Sequence, residues 1–174
     1  HKVGGFVGYA MCSLKVDGCF VDLKLISVNA GLNAGGIGGG YYANKHTDSV
    51  SNTIIIFDQD RSGTQNTPDT AAIVNRPYNS SKSSATNVYV TLKGTRLCSG
   101  GGSAWGHLYG PSTSGTENYT HSNVVTNSSE TVNSTTNANP SAVAKTNSNI
   151  TARFDFLVDG TPVPKFAPFS PSFP

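Results

Sequence analysis

Charge is what this sequence has least of. Only 13% of its 174 residues are Asp, Glu, Lys or Arg, and the 12 basic residues are scattered along the chain. No basic stripe exists to track a phosphate backbone, so nucleic acid is not an expected partner. Acids are scarcer still, with eight aspartates and only two glutamates, Glu117 and Glu130. The four histidines, His1, His46, His107 and His121, show no metal-ligand spacing, and neither a G-x-S-x-G elbow nor an H-E-x-x-H motif occurs. With so little catalytic material the expectation is a protein that is not an enzyme. No segment approaches the run of ~20 apolar residues that spans a bilayer, so membrane insertion is not expected. The glycines of "AGLNAGGIGGGYYAN" fit neither a dinucleotide fingerprint nor a P-loop, which argues against a phosphate cradle.

Serine, threonine, asparagine and glycine fill the space that charge leaves. A neutral surface rich in hydroxyls and amides suits secreted β proteins, capsids and pilus subunits better than a cytosolic enzyme, and an opening on His1 suits a processed product. The expected location is therefore secreted or cell-surface. Five N-x-S/T sequons, at Asn79, Asn118, Asn127, Asn133 and Asn149, are candidate glycosylation sites. Chance alone yields roughly three to four in such a composition, so their crowding between residues 118 and 149 says more than their number.

Hydrophobic alternation predicts an all-β fold. In "GYAMCSLKVDGCFVDLKLISV" two alternating stretches flank Asp17-Gly18, a dipeptide that favours a type I′ hairpin turn, and the register puts Cys12, Leu14, Val16, Cys19, Val21, Leu23 and Leu25 on one face. Cys12 and Cys19 then lie too far apart to pair, leaving Cys98 to bridge one of them or all three as buried thiols. "NTIIIF" reads as a buried strand. "NVYVTLKG" alternates with Val88, Val90 and Leu92 inward, and "NITARFDFLVDG" with Ile150, Ala152, Phe154, Phe156 and Val158. No segment carries a sustained helical period. The expectation is a single-domain β-sandwich, jelly-roll or immunoglobulin-like, with long Gly-rich and Ser/Thr/Asn-rich loops. Residues 11–160 form its body, residues 1–10 an extended N-terminal arm suited to donating a strand, and residues 161–174, rich in Pro and Phe, a C-terminal arm.

One stretch, "DQDRSGTQNTPD", carries a metal-like pattern. Oxygen-bearing side chains at Asp58, Asp60, Ser62, Thr64, Asn66 and Asp69, with Gly63 at the turn, match the spacing by which a tight loop surrounds calcium. Over these twelve residues the stretch resembles the EF-hand calcium loop, although Asp69 stands where that loop has Glu and a strand precedes it in place of a helix. Calcium is the expected cofactor, in a structural role. The aromatic group Trp105, His107 and Tyr109 suggests a platform for a sugar face. Together these features predict a structural subunit of an extracellular assembly, a filament, pilus or surface shell. Copies of itself are the expected partners, joined by strand or arm exchange. A carbohydrate-binding or adhesin module taking glycans is the first alternative, and a viral capsid or spike protein the second.

Overall fold

The computed structural model describes residues 2–8, 12–26, 33–38, 47–60, 70–71, 73, 82–94, 118–127 and 135–166. Within them the chain winds through successive coils, each adding strands to two parallel stacks. The smaller stack holds β1 (Lys2–Gly4), β4 (Asn33–Gly35) and β6 (Thr70–Ala71) in that order. The larger holds β2 (Lys15–Asp17) and β3 (Phe20–Ile26) end to end along one edge of β5 (Thr47–Asp60). Then come β7 (Lys82–Lys93), β8 (Asn118–Thr126) and the short β9 (Thr135–Thr136). Every pairing in both stacks is parallel. From β1 to β7 the chain visits the two stacks alternately, and from β2 to β9 each strand of the larger stack lies parallel on one from the coil before, the architecture of a parallel β-solenoid.

The antiparallel jelly-roll or immunoglobulin-like sandwich expected from the sequence is therefore not formed, and the reason lies at Asp17-Gly18. A type I′ reversal needs two consecutive residues with positive φ. Here only Gly18 is left-handed, at φ 64°, while Asp17 remains in strand β2. A single left-handed residue bends the chain without reversing it, so β2 and β3 both run along β5, with Val16 beside Val50 and Phe20 beside Ile54. The bend recurs on every coil. Asn52, Asn87 and Asn123, at φ 48°, 54° and 51°, occupy the same place in β5, β7 and β8. Asparagine is the side chain best suited to that conformation after glycine. At Gly18 a Cβ would also lie 2.7 Å from Cδ of Arg153, a contact the flexible arginine could relieve by shifting, so the positive φ is the stronger reason for glycine there.

Strand alternation then sorts the side chains. Val16, Val50 and Ala85 stack in one interior column, and Val21, Ile55 and Val90 in another. Phe57 and Leu92 stack in a third, with half-buried Leu23. The inward face of "NVYVTLKG" is thus Val88, Val90 and Leu92, all buried. Cys19 packs half-buried against this core as a free thiol and Cys12 is an exposed one, while Cys98 lies outside the described residues. The opposite, outward column of Phe20, Ile54, Tyr89 and Val125 is apolar as well, and must be covered.

The C-terminal segment covers it. Helix α1 (Pro140–Ala144) packs on β7 and β8, and helix α2 (Ser148–Thr151) reaches β5. A ribbon of antiparallel β10 (Phe154–Phe156) and β11 (Pro162–Pro164) follows. Ala144, Ile150 and Phe154 close over Ile54, Tyr89 and Val125 as a second core, each large side chain contributing roughly 1.5–3 kcal/mol by burial. The strap runs back towards the first coil. "NITARFDFLVDG" is therefore not one strand. The side chain of Asn147 accepts the main-chain N–H of Asn149 and starts a helical turn. Ile150 from this turn and Phe154 from the start of β10 both point into the same core.

The Gly-rich segment is not simply a long loop. Its described part, residues 33–38, is wound into the smaller stack, and Gly35 to Gly38 are buried around the fully buried Ile37. Coils approach so closely here that a Cβ on Gly4 would lie 2.6 Å from the Ile37 carbonyl oxygen. In the ranges read as arms, Lys2–Gly4 pairs with β4 and Pro162–Pro164 with β10, both within the chain.

Candidate functional site

The left-handed column carries a polar ladder. Asn123 Nδ2 donates to Asn87 Oδ1 at 2.8 Å, Asn87 Nδ2 to Asn52 Oδ1 at 3.0 Å, and Asn52 Nδ2 to Asp17 Oδ1 at 2.7 Å. All donors point towards the first coil, where the carboxylate, having no proton to pass on, ends the chain of amides. Ser51 Oγ also donates to Asp17 Oδ1 at 2.7 Å, and Arg153 of the strap donates to Oδ2 at 3.0 Å. The Ser51 and Asn52 hydrogen bonds, with Arg153 assisting, hold the Asp17 carboxyl down at about 2. Asn147 clips the strap to the ladder from the other side, its Nδ2 reaching Tyr89 Oη at 2.8 Å and Asn87 Oδ1 at 3.1 Å. This site is internally satisfied and works as scaffold.

The first coil leaves an edge open. Ile54 N donates to Cys19 O at 2.9 Å, so by strand alternation the main chains of Cys19, Val21 and Leu23 face β5. Those of Phe20, Asp22, Lys24 and Ile26 face away from it, and among the described residues β3 has no second neighbour. Asp22 and Lys24 are both exposed. At the other end of the larger stack, β9 lies on Val125 and Thr126 and covers that part of the edge of β8.

A cleft of about 340 Å³ opens where the strap leaves the outward face. Ile56 and Thr91 form its floor, α1 and residues 158–161 its walls, and Lys93 and Lys145 bring positive charge. Lys145 Nζ sits 5.3 Å from the centre of the Phe156 ring. The main-chain N–H of Thr161, 2.9 Å from Asp159 Oδ1, pulls the Asp159 carboxyl below its usual range, with Lys145 adding to the effect.

Of the residues expected to hold calcium, Asp58 lies in β5 with Oδ2 3.9 Å from Lys24 Nζ, and Asp60 ends the same strand. Ser62, Thr64, Asn66 and Asp69 lie outside the described residues. Among the described residues no three His, Cys, Asp or Glu side chains gather into a metal-binding group. Of the sequons, Asn149 is exposed and Asn118 opens β8. Asn127 spends both ends of its amide on one residue, accepting from Leu92 N and donating to Leu92 O, each at 2.8 Å. Asn79 and Asn133 lie outside the described residues, as do Trp105, His107 and Tyr109. The ladder and the open edge were not foreseen from sequence. Their trace is the recurrence of Ser-Asn or Thr-Asn before an apolar run, at Ser51-Asn52, Thr86-Asn87 and Ser122-Asn123.

Compared with protein families, with curated proteins and with solved structures, the chain shows no match to any.

Proposed function

We propose that this chain is a structural, non-enzymatic module of an extracellular assembly, and that it associates through the open edge of its first coil. The observation behind this reading is β3. Its outward N–H and C=O groups at Phe20, Asp22, Lys24 and Ile26 have no strand beside them among the described residues. An unprotected edge is a template for strand addition, in which main-chain hydrogen bonds supply affinity. The low charge and hydroxyl-rich composition supports an extracellular setting. A proline at Asp22 tests the reading, because it removes an N–H that points away from β5 and so blocks addition while sparing the native ladder. Sedimentation of the wild-type chain at ~100 µM should show association, in the micromolar range suited to one added strand, and Asp22→Pro should be monomeric with an unchanged circular dichroism spectrum. A monomeric wild-type chain would overturn the reading.

The cleft favours a second reading, a carbohydrate-binding module. Its size, its apolar floor at Ile56 and the polar groups of Thr91, Lys93 and Thr161 suit a sugar unit. Titration of neutral and acidic oligosaccharides should then shift the amide resonances of Thr91 and Lys93, and silence at millimolar sugar would reject it.

A further inference from the structure

The open edge of β3 also specifies its own partner. We infer that two copies of the chain join through β3, antiparallel, about a two-fold axis at Leu23; the inference rests on the edge-addition reading above. Strands that meet edge to edge across a two-fold axis run antiparallel, and residues whose main chains face outward must lie opposite one another. The outward residues are Phe20, Asp22, Lys24 and Ile26, so only registers that pair even numbers with even numbers are allowed. Three of these keep the strands well overlapped, and charge decides between them. A centre at Asp22 places Asp22 opposite Asp22 of the second copy, and a centre at Lys24 places Lys24 opposite Lys24. Both confront like charges. A centre at Leu23 places each Asp22 opposite a Lys24, giving two ion pairs across the joint.

Head-to-tail stacking is disfavoured by the other end of the molecule. Carrying the coil register forward, Phe20 of a following copy would lie where Phe20, Ile54, Tyr89 and Val125 form one column, on the far side of Val125. That place is taken by β9, which pairs with Val125 and Thr126. Among the described residues the first coil's edge has no such cover, and Asp22 and Lys24 stand exposed beside it. Lys24 makes a long 3.9 Å approach to Asp58, a weak contact to give up.

Charge reversal tests the register. Asp22→Lys and Lys24→Asp each turn both ion pairs into like-charge pairs and should weaken self-association roughly ten- to hundredfold, read by sedimentation equilibrium. The double variant Asp22→Lys, Lys24→Asp should recover it. An equimolar mixture of the two single variants should form a heterodimer, since one then carries only Lys and the other only Asp at these positions. That recovery excludes misfolding as the cause of the single-variant loss. If association is abolished by Asp22→Pro but untouched by charge reversal, edge addition stands and this register is overturned. A wild-type chain that stays monomeric overturns both.

Discussion

Replacing Asn87 by alanine removes the middle of the ladder. Three hydrogen bonds end there: its own to Asn52 Oδ1, and those it receives from Asn123 and from Asn147 of the strap. At about 1 kcal/mol net for each they amount to ~3 kcal/mol. Alanine must also hold φ 54°, which adds ~1 kcal/mol. The expected loss is therefore ~3–4 kcal/mol, the lower end applying where neighbouring amides relax towards water or towards Tyr89. With a urea m-value of ~2 kcal/mol/M the unfolding midpoint should fall by ~1.5–2 M, followed by far-ultraviolet circular dichroism. Asn87→Gly loses the same bonds but adopts the left-handed conformation freely, and should be milder than alanine by ~0.5 kcal/mol after its own backbone entropy is counted. An alanine variant within ~0.5 kcal/mol of wild type would refute the ladder as a source of stability. A glycine variant worse than alanine would refute the left-handed constraint.

Asp17 makes stability depend on acid. Its carboxyl falls from 3.8 to about 2 on folding, so its contribution is complete above pH ~4 and disappears as pH drops through about 2. The side chain is 40% exposed, so solvent screening reduces the effect to about 1 kcal/mol; Asp17→Asn should flatten the pH dependence of stability in that window. Asn127→Ala should cost ~1–2 kcal/mol in chemical denaturation, because Leu92 N and O lose the partner that imitates a neighbouring strand. For the same reason intact-mass analysis of secreted material should find Asn149 glycosylated in preference to Asn127. If the stretch from Asp58 to Asp69 holds calcium, the melting temperature should rise with Ca²⁺ and fall with chelator, and Asp58→Ala, Asp60→Ala should abolish the response. An identical melting curve with and without Ca²⁺ would reject the site.

Part of the candidate site is legible in the sequence. The exposed Asp22 and Lys24, the buried Val21 and the half-buried Leu23 follow from simple alternation around Phe20–Ile26. That β3 is an edge did not follow, because edge and centre strands carry the same period. The ladder was within reach: Gly18, Asn52, Asn87 and Asn123 stand 34 to 36 residues apart, each just before an apolar run. Strands with varying neighbours and only a handful of shared residues per coil hid the repeat. The strap stayed hidden for a different reason. Ile150, Phe154 and Phe156 satisfy a two-residue alternation, and only the cap at Asn147 turns the start of that run into a helix.

What the sequence determined by itself is local: which residues extend, which of their faces are apolar, and where the backbone can bend. Those properties come from the two-residue period of a strand and from the tolerance of Gly and Asn for positive φ. The partner of each strand and its direction were decided only by tertiary structure. Alternation around Val16 and Val21 is the same whether the next strand is antiparallel and two residues away or parallel and 34 residues away. A single left-handed residue at Gly18 settled the choice, and Arg153 lies across it while bonding to Asp17, a hydrogen bond that spans 136 residues.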